Sequence, residues 1–318
     1  MNINKLSIVL PTYNRSDFID ASLAHHLPLC RIYNIDIFIS DNNSEDETEK
    51  IVLKWKESYS NLYYYKNSTN LGVDLNIEKA LKLARSDYVW LLGDSYKANR
   101  DVIKYVVEFL DNDSNNVDAI VLNVVDQIKH VSTQNFMEHN SLLSNIGVMM
   151  TCVSCVIYKS EIIKHGNFEI FRRCNYLQTG IILDYISSRK FIIHWSRDYS
   201  VFSFEKIIKQ KKTWSLTEDV FQIAAVNWVD FILTLPTIFN FKTKIKCIQD
   251  FSKYSGVFSI RHFIILRSLN ILNISSYRKY SDYFKLMLNY YPIIILFISI
   301  MPVKVAKSAR TFAKFIKQ

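Results

Sequence analysis

The stretch Ser7-Ile8-Val9-Leu10-Pro11-Thr12-Tyr13-Asn14-Arg15 decides the fold of this chain, together with Asp87-Tyr88-Val89-Trp90-Leu91-Leu92-Gly93-Asp94 about eighty residues later. Each stretch is an apolar, β-branched run that is typical of a buried strand, and each stops abruptly at polar residues. Ligands of open α/β sheets bind just outside the carboxyl ends of such strands. The two strand ends therefore place polar side chains and a carboxylate at one edge of a sheet.

The residues between these two stretches alternate between strand and helix patterns. Residues 35–40 and 62–66 read as further strands, and residues 49–57 and 76–83 have the apolar spacing of helices. Alternation of this kind predicts a doubly wound, mostly parallel α/β sheet.

Four stretches in order resemble the nucleotide-sugar-binding half of a glycosyltransferase family 2 enzyme with a GT-A fold. They are residues 8–15 on the first strand, residues 41–48 after the second, Asn70-Leu71-Gly72 with Asn76 after the third, and residues 88–94. The Trp-Leu-Leu-Gly-Asp form is similar to the subgroup that includes O-antigen transferases such as abequosyltransferases. The resemblance implies a GT-A domain over residues 1–205, with residues 1–125 binding the nucleotide sugar and residues 126–205 forming the acceptor half.

The resemblance also implies which residues bind a nucleoside-diphosphate sugar donor: Pro11, Thr12, Asn14, Arg15, Asp41, Asn70, Gly72 and Asn76. Asp41 would accept the imide N–H of a uracil or thymine ring, and Arg15 would lie near the phosphates. The residues themselves leave an alternative open for Asp41, because residues 41–46 are rich in side chains that cap helices or form Asx turns.

Asp94 stands where the family holds a divalent cation with an Asp-x-Asp pair. The resemblance therefore implies Mg²⁺ or Mn²⁺, a hard cation that prefers oxygen ligands and neutralises the diphosphate leaving group. This chain has Asp94-Ser95-Tyr96, so a neutral phenol replaces the second carboxylate. Either Asp94 holds the metal with help from Ser95 and phosphate, or cations such as Lys97 or Arg100 act instead, or the enzyme is catalytically weak.

The catalytic base has one candidate. Inverting transfer needs a carboxylate that takes the proton of the acceptor hydroxyl, and the family places it near the start of a helix beyond the metal position. Asp184 is the acid in the matching window, residues 175–184. It lies in an apolar helical run and could equally be an ordinary helix residue. Trp195 or Trp214 could stack on an acceptor sugar.

The positive charge of the chain is concentrated at its end. Residues 1–200 carry 21 Lys and Arg against 24 Asp and Glu, whereas residues 201–318 carry 18 against 6. Such asymmetry predicts a polyanionic partner, either a membrane or a nucleic acid.

The tail favours the membrane. Residues 290–303 are almost wholly apolar but too few for a transmembrane helix, which needs roughly 20 residues. A basic segment follows, in which Val305, Ala309, Phe312 and Ile316 would share one helix face. This combination predicts a helical region over residues 215–318 with an interfacial anchor on an anionic leaflet. The alternative is a core helix followed by a solvated basic tail.

Together these features predict an inverting glycosyltransferase that acts on a lipid-linked or polysaccharide acceptor in surface-glycan biosynthesis. Five scattered cysteines and the lack of a basic-then-apolar leader predict a cytoplasmic protein, peripheral on the inner face of a bacterial plasma membrane. No nucleic-acid partner is expected. The alternatives are an inactive, membrane-bound nucleotide-binding protein, suggested by Tyr96, and a nucleic-acid-binding protein, suggested by the basic C-terminal third.

Overall fold

A computed structural model of the chain describes residues 5–112, 114, 116–204 and 214–315. The chain forms two compact units, residues 1–211 and residues 212–318. Each unit has its own core and is described by itself.

The first unit is built on one mixed sheet. Its strands are β1 (Leu6–Thr12), β2 (Asp36–Asp41), β3 (Leu62–Lys66), β4 (Tyr88–Leu91), β5 (Tyr96–Ala98), β6 (Ala119–Val124), β7 (Gln134–Phe136), β8 (Val156–Lys159) and β9 (Ile193–Ser203). The order across the sheet is β3-β2-β1-β4-β8-β6-β9-β5, and β7 pairs with β9.

Seven α-helices flank this sheet within the described residues of the first unit. They are α1 (Ser16–Ile32), α2 (Thr48–Ser58), α3 (Val73–Leu83), α4 (Arg100–Asp111), α5 (His139–Ile146), α6 (Ser160–His165) and α7 (Leu177–Ser187). Helix α4 has a strongly amphipathic sequence, and its buried side chains lie on one stripe, as a helix on the face of a sheet requires.

The first four strands are parallel, as the sequence predicts. β1 pairs with β2 on one side and with β4 on the other, so Thr12 is in register with Asp41 and Val9 with Leu91. Side chains at the centre of β1, such as Ile8 and Leu10, are fully buried, which explains their unbroken apolar run. The parallel arrangement brings the carboxyl ends of β1, β2 and β4 to one edge.

Beyond β4 the sheet changes direction. β8 runs antiparallel to both β4 and β6, and β6 and β9 are parallel again. The register between β6 and β9 shifts at Leu122/Asn123. This mixed half contains residues 126–205 in large part, for which the sequence carries only architectural resemblance.

The second unit is helical within its described residues. Its helices are α8 (Asp219–Phe221), continued by a π-helical turn Gln222–Asn227 into α9 (Trp228–Thr234), then α10 (Phe241–Ser255), α11 (Ile260–Ser268), α12 (Ile274–Met287), α13 (Ile293–Ile300) and α14 (Val303–Phe315). Aromatic rings fill its core: Phe258 lies 5.3 Å from Phe263 and 5.6 Å from Phe284 between ring centroids.

The apolar tail segment is divided between core and surface. Ile295, Ile298 and Ser299 of α13 are buried, whereas Ile293 and Phe297 are exposed. No helix within the described part of the chain combines the length and apolar character that crossing a bilayer needs. Of the face predicted for the basic tail, Ile316 and the side chain of Phe312 lie outside what the structure describes.

Candidate functional site

The carboxyl ends of β1 and β4 bring three polar side chains together. Thr12 is the last residue of β1, and Asp94 comes shortly after β4. The hydroxyl of Thr12 donates to Oδ2 of Asp94 at 2.9 Å, and Nε of Arg15 lies 3.1 Å from Oδ1 of the same carboxylate. Both oxygens of a nearly buried carboxylate are therefore engaged, one by the last residue of β1 and the other by the loop that follows it.

Arg15 is held on a second side by an aromatic ring. Its guanidinium carbon lies 4.0 Å from the centroid of the Phe18 ring. Its Nε is buried without an aligned hydrogen bond, so the contact with Asp94 is an ion pair. About a third of the side chain, 36%, stays exposed. A guanidinium that is fixed in this way and partly exposed has the geometry of donors that suits a phosphate group.

Asp41 ends β2 and is fully buried. Its Oδ1 accepts from the backbone N–H of Ser44 at 2.9 Å, and its Oδ2 accepts from the hydroxyl of Tyr64 at 2.6 Å. Burial and the hydrogen bond to Asp41 raise the pKa of Tyr64, so its phenol stays a donor. The contact between Asp41 and Ser44 belongs to a turn, which is the alternative that the sequence leaves open for Asp41. The predicted role of Asp41 in binding a nucleobase stays a prediction.

Asparagine side chains join the loops that follow β2 and β3. Nδ2 of Asn42 donates to Oδ1 of Asn70 at 2.8 Å, and the same oxygen accepts from the backbone N–H of Gly72 at 2.9 Å. Gly72 has φ of 83°, a conformation that favours glycine, immediately before α3. Nδ2 of Asn67 donates to Oδ1 of Asn76 at 3.0 Å. The network therefore contains the predicted Asn70, Gly72 and Asn76.

Asn76 also ties α3 to the sheet. Its Nδ2 donates to the carbonyl of Ser40 at 3.1 Å and to that of Thr12 at 3.4 Å. On the loop after β1, Asn14 has φ of 49°, and its Oδ1 accepts from the backbone N–H of Glu45 at 2.8 Å. Pro11 lies within β1 in register with Ser40. These contacts fix the loops after β1, β2 and β3 relative to one another.

Sequence reasoning missed Asn42 and Asn67 in this network. Both follow strand ends directly, and a polar amide immediately after a parallel strand was the pattern that could have identified them. Their side chains bind the loops to each other, so their role in the described structure is to shape the edge of the sheet.

Tyr96 does not offer a substitute for the missing carboxylate. It is the first residue of β5 and pairs with Ser203 on β9. The neighbouring thiol of Cys152, burial and a hydrogen bond to that thiol raise the pKa of Tyr96, so its phenol is neutral. The loop of Cys152 is itself tied to the predicted metal position, because Oγ of Ser154 accepts from the backbone N–H of Gly93 at 3.0 Å.

The side chains at this position do not fit a divalent cation held by the protein. Among the described residues, no three His, Cys, Asp or Glu side chains are grouped to hold a metal ion. The carboxylate of Asp94 is already paired with Arg15, and that of Asp41 accepts from Ser44 and Tyr64. Mg²⁺ and Mn²⁺ prefer several oxygen ligands. The predicted cation and its ligand Asp94 therefore stay predictions.

Asp184, the predicted base, lies on α7. It is seven residues beyond Leu177, the first residue of the helix, which corresponds to about two turns. Burial raises the pKa of Asp184, and the nearby Arg189 opposes this shift. A carboxylate with a raised pKa is a stronger base, but the described contacts do not join Asp184 to Asp94.

The sequence analysis missed a buried acid, Asp74, which connects the two halves of the first unit. Asp74 is buried in the first turn of α3, two residues after Gly72, and its Oδ2 accepts from the backbone N–H of Asn175 at 2.9 Å. One turn further on α3, Glu78 accepts from Nε and Nη2 of Arg172 at 2.9 and 3.0 Å. Two carboxylates of α3 thus hold the segment that leads into α7.

The two tryptophans predicted to stack on an acceptor sugar differ in their exposure. Trp195 is fully buried, and its Nε1 donates to the carbonyl of Val131 at 3.1 Å. That prediction is therefore wrong for Trp195, because β9 turns this ring into the core. Trp214 is exposed and belongs to the second unit.

Comparisons with known sequences find a matching family and several similar proteins. The model for glycosyl transferase family 2 matches residues 7–166, half of the chain. Abequosyltransferase RfbV of Salmonella typhimurium is 34% identical over 110 residues, which are 34% of this chain and 33% of that protein. Chondroitin synthase of Escherichia coli is 28% identical over 151 residues, which are 47% of this chain and 22% of that protein. The chain spans about a third or less of these curated relatives.

Solved structures share the fold over nearly the whole chain. S. aureus TarS 1–349 in complex with UDP-GlcNAc has a TM-score of 0.59 at 16% identity, covering 98% of this chain and 91% of that one. The mannosyltransferase PcManGT from Pyrobaculum calidifontis, in complex with GDP-Man and Mn²⁺, has a TM-score of 0.51 at 13% identity, covering 93% and 86%. The predicted GT-A fold followed by a helical region is confirmed.

We expect Asp74→Ala to lower the free energy of unfolding near neutral pH by about 1–3 kcal/mol, because the N–H of Asn175 loses its buried acceptor. Burial raises the pKa of Asp74, despite backbone N–H groups that favour the charged form. Its stabilising contribution is therefore largest at low pH and falls as pH rises through that pKa. Asp74→Asn keeps an acceptor without the charge and should cost less than Asp74→Ala.

Urea unfolding at neutral and at acidic pH measures the free energy of unfolding of both variants. Asp101→Ala serves as the matched control, since Asp101 is an exposed acid in the first turn of α4. If Asp74→Ala is no more destabilising than Asp101→Ala, the carboxylate does not hold the segment before α7.

Proposed function

The chain belongs to glycosyl transferase family 2, and we propose that it transfers a sugar from a nucleoside-diphosphate donor to a hydroxyl group of a glycan acceptor, with inversion. The observation that supports this most is the Thr12–Arg15–Asp94 cluster at the carboxyl ends of β1 and β4. It fixes a cation where ligands of such sheets bind. The UDP-GlcNAc complex of TarS and the GDP-Man complex of the mannosyltransferase support a nucleotide-sugar donor.

In this proposal Arg15 binds the diphosphate. The oxygen of the acceptor hydroxyl attacks the anomeric carbon, the bond between that carbon and the phosphate oxygen breaks, and the nucleoside diphosphate leaves with the bonding electrons. Negative charge grows on the leaving oxygen, and a guanidinium that is already fixed stabilises it without reorganisation. Asp94 and the Phe18 ring hold the guanidinium in place. Lys97 and Arg100 are the other cations proposed for this task.

The proton of the acceptor hydroxyl goes to a carboxylate. We assign this role to Asp184, whose pKa is raised by burial. Asp74 is buried and accepts backbone hydrogen bonds, so it positions the segment before α7. Asp184→Asn should lower the rate of transfer while donor affinity stays unchanged.

We propose that the acceptor is a lipid-linked or polysaccharide glycan of a bacterial surface, such as O-antigen, lipopolysaccharide or capsule. Support comes from the relatives, which include an abequosyltransferase and a chondroitin synthase. A location on the cytoplasmic face of the plasma membrane would place the enzyme where lipid-linked acceptors are available.

A thermal-shift screen with uridine, guanosine, thymidine and cytidine diphosphate sugars tests the donor class. A donor that binds the folded state raises the melting temperature by mass action. Single-turnover transfer with the donor found in this way then tests catalysis, with Mn²⁺ and with a chelator. Donor binding without transfer or hydrolysis would favour the inactive nucleotide-binding alternative, and salt-sensitive RNA or DNA binding without any donor would overturn the proposal.

Arg15→Gln should lower the rate of transfer by roughly 100-fold, the usual loss when one preorganised group that stabilises a developing charge is removed. Asp94→Asn should also lower it, because the guanidinium loses its anionic partner. Transfer kinetics at saturating donor measure both effects. Arg85→Gln is the control, since Arg85 is an exposed cation just before the amino end of β4, opposite the site. Equal rates for Arg15→Gln and Arg85→Gln would remove Arg15 from the mechanism.

Asp41→Asn should weaken binding of uridine or thymidine diphosphate by an amount equivalent to about 1.5–3 kcal/mol, the cost of losing a hydrogen bond to a charged group. Tyr64→Phe removes the phenol that donates to Asp41 but keeps the carboxylate, so it should not weaken nucleotide binding. Calorimetric titration separates the two roles of Asp41. Unchanged affinity in Asp41→Asn, with lower stability of the fold, would leave only the turn with Ser44.

A further inference from the structure

Helix α13 keeps one apolar face inside the second unit and turns another to solvent. Ile293, Phe297 and Ile300 are 55%, 61% and 54% exposed, and their spacing of four and three residues places them on one stripe of the helix. Tyr291, just before the helix, is 81% exposed. The opposite stripe, with Ile295 and Ile298, already anchors the helix in the core. The exposed stripe is therefore not needed for folding of the unit.

Basic residues follow this stripe in the sequence. Helix α14 follows after Met301 and Pro302, and both helices pack against α11. Lys304 and Lys307 of α14 are exposed. The chain has no Asp or Glu after Asp282. An exposed apolar stripe is thus followed in the sequence by exposed cations and by no acid.

We propose that α13 and α14 attach the second unit to the surface of an anionic lipid bilayer. The exposed stripe, Tyr291, Ile293, Phe297 and Ile300, enters the boundary between headgroups and acyl chains, and Lys304 and Lys307 face the lipid phosphates. An amphipathic helix with lysines beside its apolar face binds membranes in this way. The tyrosine ring at the start of the stripe suits the headgroup level, where one end is apolar and the other is wet.

The charge complementarity favours a bilayer over a second copy of the chain. Two copies joined through this stripe would bring the same lysines together, because symmetric contacts use the same patch on both subunits. An anionic leaflet instead attracts them, and each basic residue near its surface strengthens binding roughly fivefold. This attachment does not depend on sugar transfer, so either proposal can fail while the other holds.

Flotation of the full-length protein with lipid vesicles tests the attachment. Vesicles of phosphatidylglycerol and phosphatidylcholine should bind the protein, and vesicles of phosphatidylcholine alone should bind it less. Phe297→Ser should weaken partitioning into the mixed vesicles by roughly tenfold, because a side chain that would be buried in the lipid boundary is truncated. Lys304→Gln with Lys307→Gln should weaken it further and reduce its dependence on salt.

Met137→Ser is the matched control, since Met137 is 65% exposed and belongs to the first unit. Both variants change exposed side chains, so circular dichroism and the melting temperature should match those of the unmodified protein. Absent binding to mixed vesicles at low salt would overturn the proposal. Equal vesicle binding by Phe297→Ser and Met137→Ser would overturn it too. A dimer that light scattering detects and that Phe297→Ser dissociates would also overturn the proposal, because the stripe would then be a contact between copies of the chain.

Discussion

The carboxylate of Asp94 must be compensated where it stands, and this requirement organises the edge of the sheet. A buried charge without a partner costs several kcal/mol, yet Asp94 lies almost out of solvent at the end of β4. Thr12 at the end of β1 and Arg15 on the loop that follows are its partners. The same ion pair therefore stabilises the fold locally and fixes the direction of the guanidinium. Structure and proposed chemistry share one interaction at this point.

Other buried carboxylates of the first unit connect segments that are distant in the sequence. Asp41 holds Tyr64 on the neighbouring strand, Asp74 holds the backbone of Asn175, and Glu78 holds Arg172. Each carboxylate joins two segments through a directional hydrogen bond or ion pair. The loops at this edge are thus rigid through polar contacts rather than through close packing alone.

The sequence was sufficient to predict the parallel half of the sheet, because unbroken apolar runs that stop at polar residues have few other interpretations. It also predicted that the polar residues at the end of β1 and the carboxylate after β4 would lie at one edge, since neighbouring parallel strands end there. It could not predict Asp74, whose partner is a backbone N–H about a hundred residues away. Nor could it show that Trp195 faces the core, because the direction of a side chain on β9 depends on which strands become its neighbours in the sheet.

Gly72 immediately precedes helix α3, and two residues later Asp74 provides the carboxylate that holds the segment before α7. The two halves of the first unit are therefore joined by contacts that this helix makes with residues 172–175. Exchange of residues 1–125 between two members of the family would separate Asp74 and Glu78 from the backbone and the arginine that they fit. Functional recombinants, natural or engineered, should consequently take residues 73–83 and 172–177 from the same parent protein.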